Sequence, residues 1–218
     1  MSVPNYHVVP ITVDDISTIS SFLQDSKLQL AINRFVIKDW PNPPIQKALY
    51  TEAVKGGLSN PQTTCLKVVE DISKQSVAYL FYTKQRFPNG KHDANVAGDE
   101  RGDSKKEVPA GVVPEVFWAV TNAFQELRSD FQSEEFIELT HIYVKPTSRQ
   151  QGIGTWLLQM AQRHAADQKL PFRIIAEPNH HDFFVNRGFR DIKHVDVDLT
   201  RWAAPLSGYG TFRISSMV

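Results

Sequence analysis

The sequence contains a single cysteine, Cys65, so an internal disulfide bond is excluded. Stability must then come from a hydrophobic core, and 41% hydrophobic residues over 218 positions are enough to build one. Cys65 lies in the apolar run TTCLKVV, where no neighbour in the sequence would activate a thiolate. We therefore expect Cys65 to be a small core residue in a protein of a reducing compartment.

Neither sign of charge is in excess, because 24 Lys and Arg residues balance 24 Asp and Glu residues. No overall field therefore draws the protein to nucleic acid or to an anionic membrane surface. No stretch approaches the roughly 20 apolar residues of a membrane helix, and the N-terminal segment lacks the basic and apolar regions of a secretory signal. We expect a cytoplasmic protein, with a nuclear location left open, and neither nucleic acid nor membrane as a partner.

Strand-like and helix-like segments alternate along the chain, which predicts one α/β domain over residues 1–218, with a mixed sheet and helices on its faces. β-branched and apolar runs predict strands at residues 6–12, 63–71, 76–86, 136–145, 172–177, from 189 onward, and 208–217. Apolar residues at helical spacing predict helices from Asp14 or Asp15, at 44–55, at 114–127, at 152–167, and a short one after 177. The second helix should bury a stripe of Ile45, Ala48, Leu49 and Ala53.

Residues 88–111 are charged, rich in glycine and almost free of large apolar side chains. Such a segment cannot bury a core. We expect a mobile surface loop within the domain, and a loop of this length is functional or disordered more often than structural.

The most informative segment is ELTHIYVKPTSRQQGIGTWLLQMAQRHA, residues 138–165, which predicts a strand, a turn and a helix. Gly152 and Gly154 lie where the chain enters the helix, and without a Cβ they let a ligand approach the backbone N–H groups closely. Those unpaired N–H groups and the positive end of the helix dipole form an anion site suited to a pyrophosphate. Arg149 would add a cation at its rim.

Other phosphate-binding motifs fit this segment poorly. A Walker loop requires Gly-Lys-Ser/Thr, but Thr155 follows Gly154 directly. A dinucleotide fingerprint requires a third glycine where Leu157 stands.

The string RQQGIGT, preceded by L-x-x-I-x-V-x-P and followed by WLL, resembles the acetyl-CoA motif Q/R-x-x-G-x-G/A of the GNAT N-acetyltransferases. A second block, Phe183-Phe184-x-x-x-Gly188-Phe189, is similar to the family's Y-x-x-x-G-F. The close resemblance covers residues 138–189. The front half matches only in the order of elements, and in this it resembles fungal members of the superfamily.

The resemblance implies the GNAT fold, in which helices flank a central, largely antiparallel sheet, and acetyl-CoA as co-substrate without a metal. It assigns the acetyl group and pantetheine arm to the backbone of Ile142, Tyr143 and Val144, with the Val144 N–H as candidate oxyanion donor. Further implied cofactor contacts come from Arg149, Gln150, Gln151, Gly152, Ile153, Gly154, Thr155, Asn179 and Phe184.

Transfer of an acetyl group to an amine also needs a base, since an alkyl amine is mostly protonated at neutral pH. Glu138 stands where histone-acetylating relatives carry their glutamate base, and His141 is the alternative. Strand alternation places Glu138, Thr140, Ile142 and Val144 on one face, and Leu139, His141 and Tyr143 on the other. Glu138 could instead be a solvated edge carboxylate, and His141 a core histidine.

The leaving thiolate would be protonated in many relatives by a tyrosine at the position of Phe184, which has no proton to give. Tyr143, Tyr209 or a water molecule are candidate substitutes. The neighbouring pair His180-His181 could suggest a metal, but adjacent side chains diverge and no cysteine or carboxylate completes a ligand set at a known spacing. We expect no metal site.

The sequence thus predicts an N-acetyltransferase that moves an acetyl group to a primary amine by direct attack in a ternary complex. The alternative is a GNAT-fold protein that binds CoA without turnover and acts as a sensor. A small-molecule amine is the expected acceptor, and a homodimer is left open.

Overall fold

The computed structural model describes residues 3–86, 108–129 and 135–218. These residues contain a seven-stranded sheet in the order β1-β2-β3-β4-β5-β7-β6. Its strands are β1 (Tyr6–Pro10), β2 (Thr63–Glu70), β3 (Ser76–Arg86), β4 (Glu135–Val144), β5 (Phe172–Ala176), β6 (Asp191–Asp198) and β7 (Thr211–Met217). Among the described strands, only β4 and β5 pair in parallel, and all other neighbours are antiparallel. The predicted mixed, largely antiparallel sheet is confirmed.

Six described helices flank the sheet: α1 (Ile16–Leu28), α2 (Asn33–Val36), α3 (Pro43–Ser59), α4 (Pro114–Ser129), α5 (Ile153–Asp167) and α6 (Pro178–Val185). The single turn α2 was not predicted from the sequence. Of the loop predicted at residues 88–111, residues 88–107 lie outside the described ranges. None of the described helices combines the length and the apolar character needed to cross a bilayer.

Apolar helix faces cover both sides of the sheet. α5 places Ile153, Leu157, Leu158 and Ala161 against the strands in one cluster. On the opposite side, α1 and α3 pack on Tyr79 and Phe81 of β3. α4 contributes Val116, Ala123 and Leu127 to a third cluster with β6 and β7. The helical periodicity predicted for α1 and α5 is therefore confirmed by burial.

The buried face of α3 differs from the predicted stripe. Ala48 and Ala53 are exposed, whereas Gln46, Tyr50 and Val54 are buried. Tyr50 and Val54 pack in the cluster that α1 forms with β3. Burial of a tyrosine and a valine removes more apolar area from water than burial of two alanines. The observed buried face of α3 is therefore displaced by about one residue from the predicted stripe.

Leu157 tests the contribution of this core, because its side chain is fully buried beneath the sheet. Leu157→Ala should lower the free energy of unfolding by about 2–5 kcal/mol, through lost transfer energy and the cavity left behind. Urea unfolding measures this change. Leu206→Ala is the matched control, since Leu206 is fully exposed and its truncation should cost less than about 0.5 kcal/mol. Equal losses in both variants would contradict the described packing.

Candidate active site

The parallel strands β4 and β5 pair over a short distance only. Their pairs are Ile137 with Phe172, Glu138 with Arg173 and Leu139 with Ile174. β4 then continues to Val144 and β5 to Ala176 with no further pairs between them among the described residues. The edge of β4 from Thr140 onward is therefore left open toward β5.

A cavity of about 760 Å³ lies at this opening, between the ends of β4 and β5 and helices α1 and α3. Four aromatic residues line it: Tyr79, Phe81, Phe124 and Phe184. Its polar lining includes Lys27, Arg128, Glu138, His141, Glu177 and His180. The cavity thus combines an apolar wall with two imidazoles and three carboxylates, since Glu52 of α3 also lines it.

A β-bulge in β4 corrects the predicted alternation of faces. In the pairing with β3, Thr83 lies opposite Glu138 and Phe81 lies opposite His141. An advance of two residues along β3 therefore corresponds to an advance of three residues along β4. The additional residue is Thr140, whose hydroxyl donates to the Phe81 carbonyl at 3.0 Å. Because β3 alternates without a break, Glu138 and His141 share one face rather than lying on opposite faces.

The same bulge places the next residues of β4. Tyr143 pairs with Tyr79 and lies on the face of Glu138 and His141. Ile142 and Val144 pack on the opposite, α5-covered side, which also corrects their predicted placement beside Glu138.

Glu138 is 2% exposed and is held by Arg128 from the last turn of α4. Arg128 Nε donates to Oε2 at 3.0 Å and Nη2 donates to Oε1 at 2.6 Å. Burial opposes the charge of Arg128, but the adjacent carboxylate outweighs it and raises the pKa of the guanidinium. This two-point pairing fixes the carboxylate at the cavity wall and engages both of its oxygens.

His141 presents an uncharged imidazole to the cavity. Burial, reinforced by the positive charge of Lys27, lowers the pKa of His141 to about 4, although Glu177 acts in the opposite direction. Its Nδ1 atom is buried and has no hydrogen-bond partner among the described residues. Its ring packs on Phe81, with 5.8 Å between centroids.

This lowered pKa predicts a dependence of stability on pH. Between pH 6.5 and about 4 the unfolded chain would protonate His141 while the folded protein does not, so the free energy of unfolding should fall as pH falls through this window. The limiting slope from one such group is about 1.4 kcal/mol per pH unit. Urea unfolding of His141→Phe, which keeps a ring against Phe81, should show a shallower slope than the wild type. Parallel slopes would refute the assignment.

The turn before α5 has the geometry of an anion site. Gly152 is the N-cap of α5 with φ of +84°, and Gln150 has φ of +63°. Arg149, Gln150, Gln151 and Gly152 are all exposed. Arg149 Nε donates to the Val144 carbonyl at 3.0 Å, which anchors the guanidinium between the end of β4 and the helix start.

Gly154 and Thr155, at the start of α5, contact residues in and just after α6. A Cβ on Gly154 would lie 3.2 Å from the Phe183 ring, so a side chain there would press on α6. The hydroxyl of Thr155 accepts a bond from Arg187 Nε at 3.0 Å, and the Arg187 guanidinium stacks 3.6 Å from the Phe183 ring centroid. Arg187 thus adds a second arginine beside the start of α5.

Three other predicted cofactor residues, Ile153, Gln151 and Asn179, are not among the residues that line the cavity. Ile153 is 1% exposed and packs in the core. Gln151 accepts from the Tyr6 hydroxyl at 2.8 Å. Asn179 donates to the Gln29 carbonyl at 3.2 Å. Backbone contact remains available to Ile153, whereas the side chains of Gln151 and Asn179 already have protein partners.

The candidate acids differ in position. Phe184 is 3% exposed and lines the cavity, but it carries no hydroxyl. Tyr143 is 6% exposed and packs on Phe22 at 5.4 Å between centroids, outside the residues that line the cavity. Tyr79 does line the cavity, and burial raises the pKa of its hydroxyl.

Sequence reasoning gave no role in acetyl transfer to five charged or titratable residues of this region: Lys27, Arg128, Glu177, His180 and Arg187. It considered His180 only as a metal ligand. Arg187 lies inside the F-F-x-x-x-G-F block, so its cation could have been noted from the sequence. The other four are brought together by packing between distant elements. Among the described residues, no three His, Cys, Asp or Glu side chains converge on a potential metal position.

Residues 124–198, about a third of the chain, match the family model of the acetyltransferase (GNAT) domain. This match spans β4, the α5 turn, β5 and α6, whereas α1, α3 and β3, which also line the cavity, lie outside it. The fold is that of the GNAT acetyltransferases. A comparison with curated protein sequences found no significant match.

Solved acetyltransferase structures superpose on most of the chain. A Corynebacterium glutamicum protein described as "histone acetyltransferase HPA2 and related acetyltransferase" has a TM-score of 0.58 at 15% identity, and the alignment covers 98% of this chain and 95% of that protein. Arylalkylamine N-acetyltransferase 2 of Aedes aegypti has a TM-score of 0.64 at 11% identity, with 97% and 98% covered. An aminoglycoside 6'-N-acetyltransferase of Acinetobacter baumannii has a TM-score of 0.52 at 16% identity, with 87% and 94% covered. Identities this low establish a shared fold only.

Proposed function

We propose that the protein transfers an acetyl group from acetyl-CoA to a primary amine of a small molecule. The observation that carries this proposal is the order of three features along β4. Residues 138–142 line the cavity, the edge of β4 is open from Thr140 onward, and the exposed Gly152 turn follows, tied to the end of β4 by the bond from Arg149 to the Val144 carbonyl. An anion site next to an open strand edge suits a long, phosphate-bearing thioester whose reactive end reaches the cavity.

In this proposal the pyrophosphate binds the N–H groups at the start of α5, with Arg149 and Arg187 as flanking cations. The pantetheine arm runs along residues 142–144 of β4. The Val144 N–H donates to the thioester oxygen as negative charge develops there, and a preorganised donor of this kind contributes roughly 3 kcal/mol.

The reaction is a direct attack in a ternary complex. The amine nitrogen forms a bond to the carbonyl carbon, and the carbon–sulfur bond then breaks and releases CoA thiolate. The amine proton passes to Glu138, directly or through water, or to the neutral imidazole of His141. A thiol with a pKa near 8.5 leaves adequately without an acid, so the phenylalanine at position 184 is compatible with turnover.

The proposal treats residues 1–218 as one domain, because every described strand belongs to one sheet. A cytoplasmic location, a fungal-type subfamily and a homodimer remain predictions from the sequence.

Phe184 favours a second candidate function, a CoA-binding sensor without turnover. The ring is buried at the cavity wall where a hydroxyl would be needed for an acid. Release of free CoA thiol from acetyl-CoA, measured with a panel of primary amines, separates the two functions. Amine-dependent thiol release supports the acetyltransferase. Tight binding of acetyl-CoA without thiol release above background with any amine would instead support the sensor.

A further inference from the structure

A second carboxylate in the cavity has no role in the reaction described above. Glu177 follows β5 directly, lines the cavity and has a side chain that is 14% exposed. Its Oε1 accepts from Lys27 Nζ at 2.5 Å. Among the described residues, no donor is bonded to its other oxygen. One oxygen of a largely desolvated carboxylate is therefore available to a ligand.

We propose, on the basis of the acetyl-transfer function above, that Glu177 binds the ammonium group of the acceptor. The acceptor is then a primary monoamine with an aromatic or apolar body. Glu177 selects the charged amine and positions it, and Glu138 or His141 takes the proton once the nitrogen lies beside the thioester.

The three cavity carboxylates are not equivalent as ligands for an ammonium group. The Glu52 side chain is 69% exposed and already paired with Lys55 at 2.8 Å, so water screens its charge. Both oxygens of Glu138 are engaged by the planar guanidinium of Arg128. Glu177 is paired with the ammonium group of Lys27, which is carried on a flexible side chain and occupies only one of the two carboxylate oxygens. An incoming cation can therefore bind Glu177 without displacing its partner.

The surroundings of Glu177 favour a positive charge. Burial lowers the pKa of both His141 and His180, so neither imidazole adds a cation at neutral pH. The C-terminal ends of two helices also line the cavity, through Lys27 in α1 and through Gly56 and Gly57 in α3. Helix C-termini carry partial negative charge, and α3 has no basic residue in its last turn to offset it.

The remaining wall indicates the body of the acceptor. Tyr79, Phe81, Phe124 and Phe184 surround the cavity with rings. The two lining cations, Lys27 and Arg128, are already paired with carboxylates. A carboxylate or phosphate on the acceptor would have to break one of these pairs, whereas an apolar ring would be stabilised by burial.

Isothermal titration of the CoA-saturated full-length protein at pH 7 tests this inference without turnover. The probes are 2-phenylethylamine, which is protonated at this pH, and 2-phenylethanol, which has the same body without the charge. We expect the wild type to bind the amine at least about tenfold more tightly than the alcohol, the effect of one charge-assisted hydrogen bond. Glu177→Gln should reduce this preference to within about twofold.

Two further variants separate ligand binding from folding. Glu135→Gln is the matched control, because Glu135 is an ion-paired glutamate of the same sheet that lies outside the cavity, 3.0 Å from Lys84; it should retain the preference for the amine. Lys27→Met should retain or increase this preference, since it removes the cation that competes for Glu177. If the only role of Glu177 were to pair with Lys27, Glu177→Gln and Lys27→Met would change the preference for the amine to a similar extent.

Three results would overturn the inference: no preference of the wild type for the amine, an unchanged preference in Glu177→Gln, or no binding of 2-phenylethylamine at millimolar concentration. Thiol release with other amines would leave the proposed function intact in each case. Conversely, a Glu177-dependent preference without any thiol release would refute the acetyl transfer while the binding role of Glu177 stands.

Discussion

Gly152→Asp is expected to abolish the stabilisation of the protein by acetyl-CoA. The φ of +84° at Gly152 is strained for any residue with a Cβ, and a carboxylate there would place negative charge at the pyrophosphate position. At 100 times its Kd, acetyl-CoA should stabilise the wild type by about 2.7 kcal/mol and raise its Tm by roughly 5–10 °C. Thermal melting of both proteins with and without acetyl-CoA measures the effect.

The matched control for Gly152→Asp is Gly208→Asp. Gly208 has φ of +80° and open space around its Cβ position, so the substitution imposes the same backbone strain away from the site. We expect a lower Tm for this variant without ligand but an undiminished rise with acetyl-CoA. A rise that persists in Gly152→Asp would mean that the cofactor binds elsewhere.

Glu138→Gln should lower kcat by about 10²–10⁴ with the best amine of the panel, because an amide cannot accept the proton of the attacking nitrogen. The acetyl-CoA-dependent rise in Tm should be unchanged, since the side chain lies on the cavity wall opposite the α5-covered face of β4. Initial rates of thiol release at saturating acetyl-CoA provide the measurement.

Glu135→Gln again serves as the control, as a glutamate of β4 that is ion-paired outside the cavity. Its kcat should match the wild type. An unchanged kcat in Glu138→Gln, together with a large loss in His141→Phe, would transfer the role of base to His141. Unchanged rates in both variants would contradict any base on this face of β4.

The parts of the site that follow from local chemistry were predictable. The turn before α5 requires glycine at position 152 because of its positive φ, and the helix start follows from the apolar spacing after it. The strand boundaries around β2 and β3 followed in the same way from β-branched runs. These features depend on residues close together in the sequence.

The parts that depend on distant partners were not predictable. The bulge at Thr140 exists because of the register between β4 and β3, which no pattern within β4 reveals. The pair of Lys27 and Glu177 joins residues 150 positions apart. The buried face of α3 depends on which side chains α1 and β3 offer to it. Each of these features results from packing between elements that are distant in the sequence. The periodicity of apolar residues within one element does not predict such packing.

The central claim, transfer of an acetyl group to an amine, is tested most directly by following the group itself. Acetyl-CoA with an isotopically labelled acetyl group is incubated with the wild-type protein and the amine panel, and the products are identified by mass spectrometry. We predict that the label appears on the nitrogen of an amine, with one free CoA released for each acetylated product. Label found only in free acetate, or retained entirely in acetyl-CoA, would contradict the account.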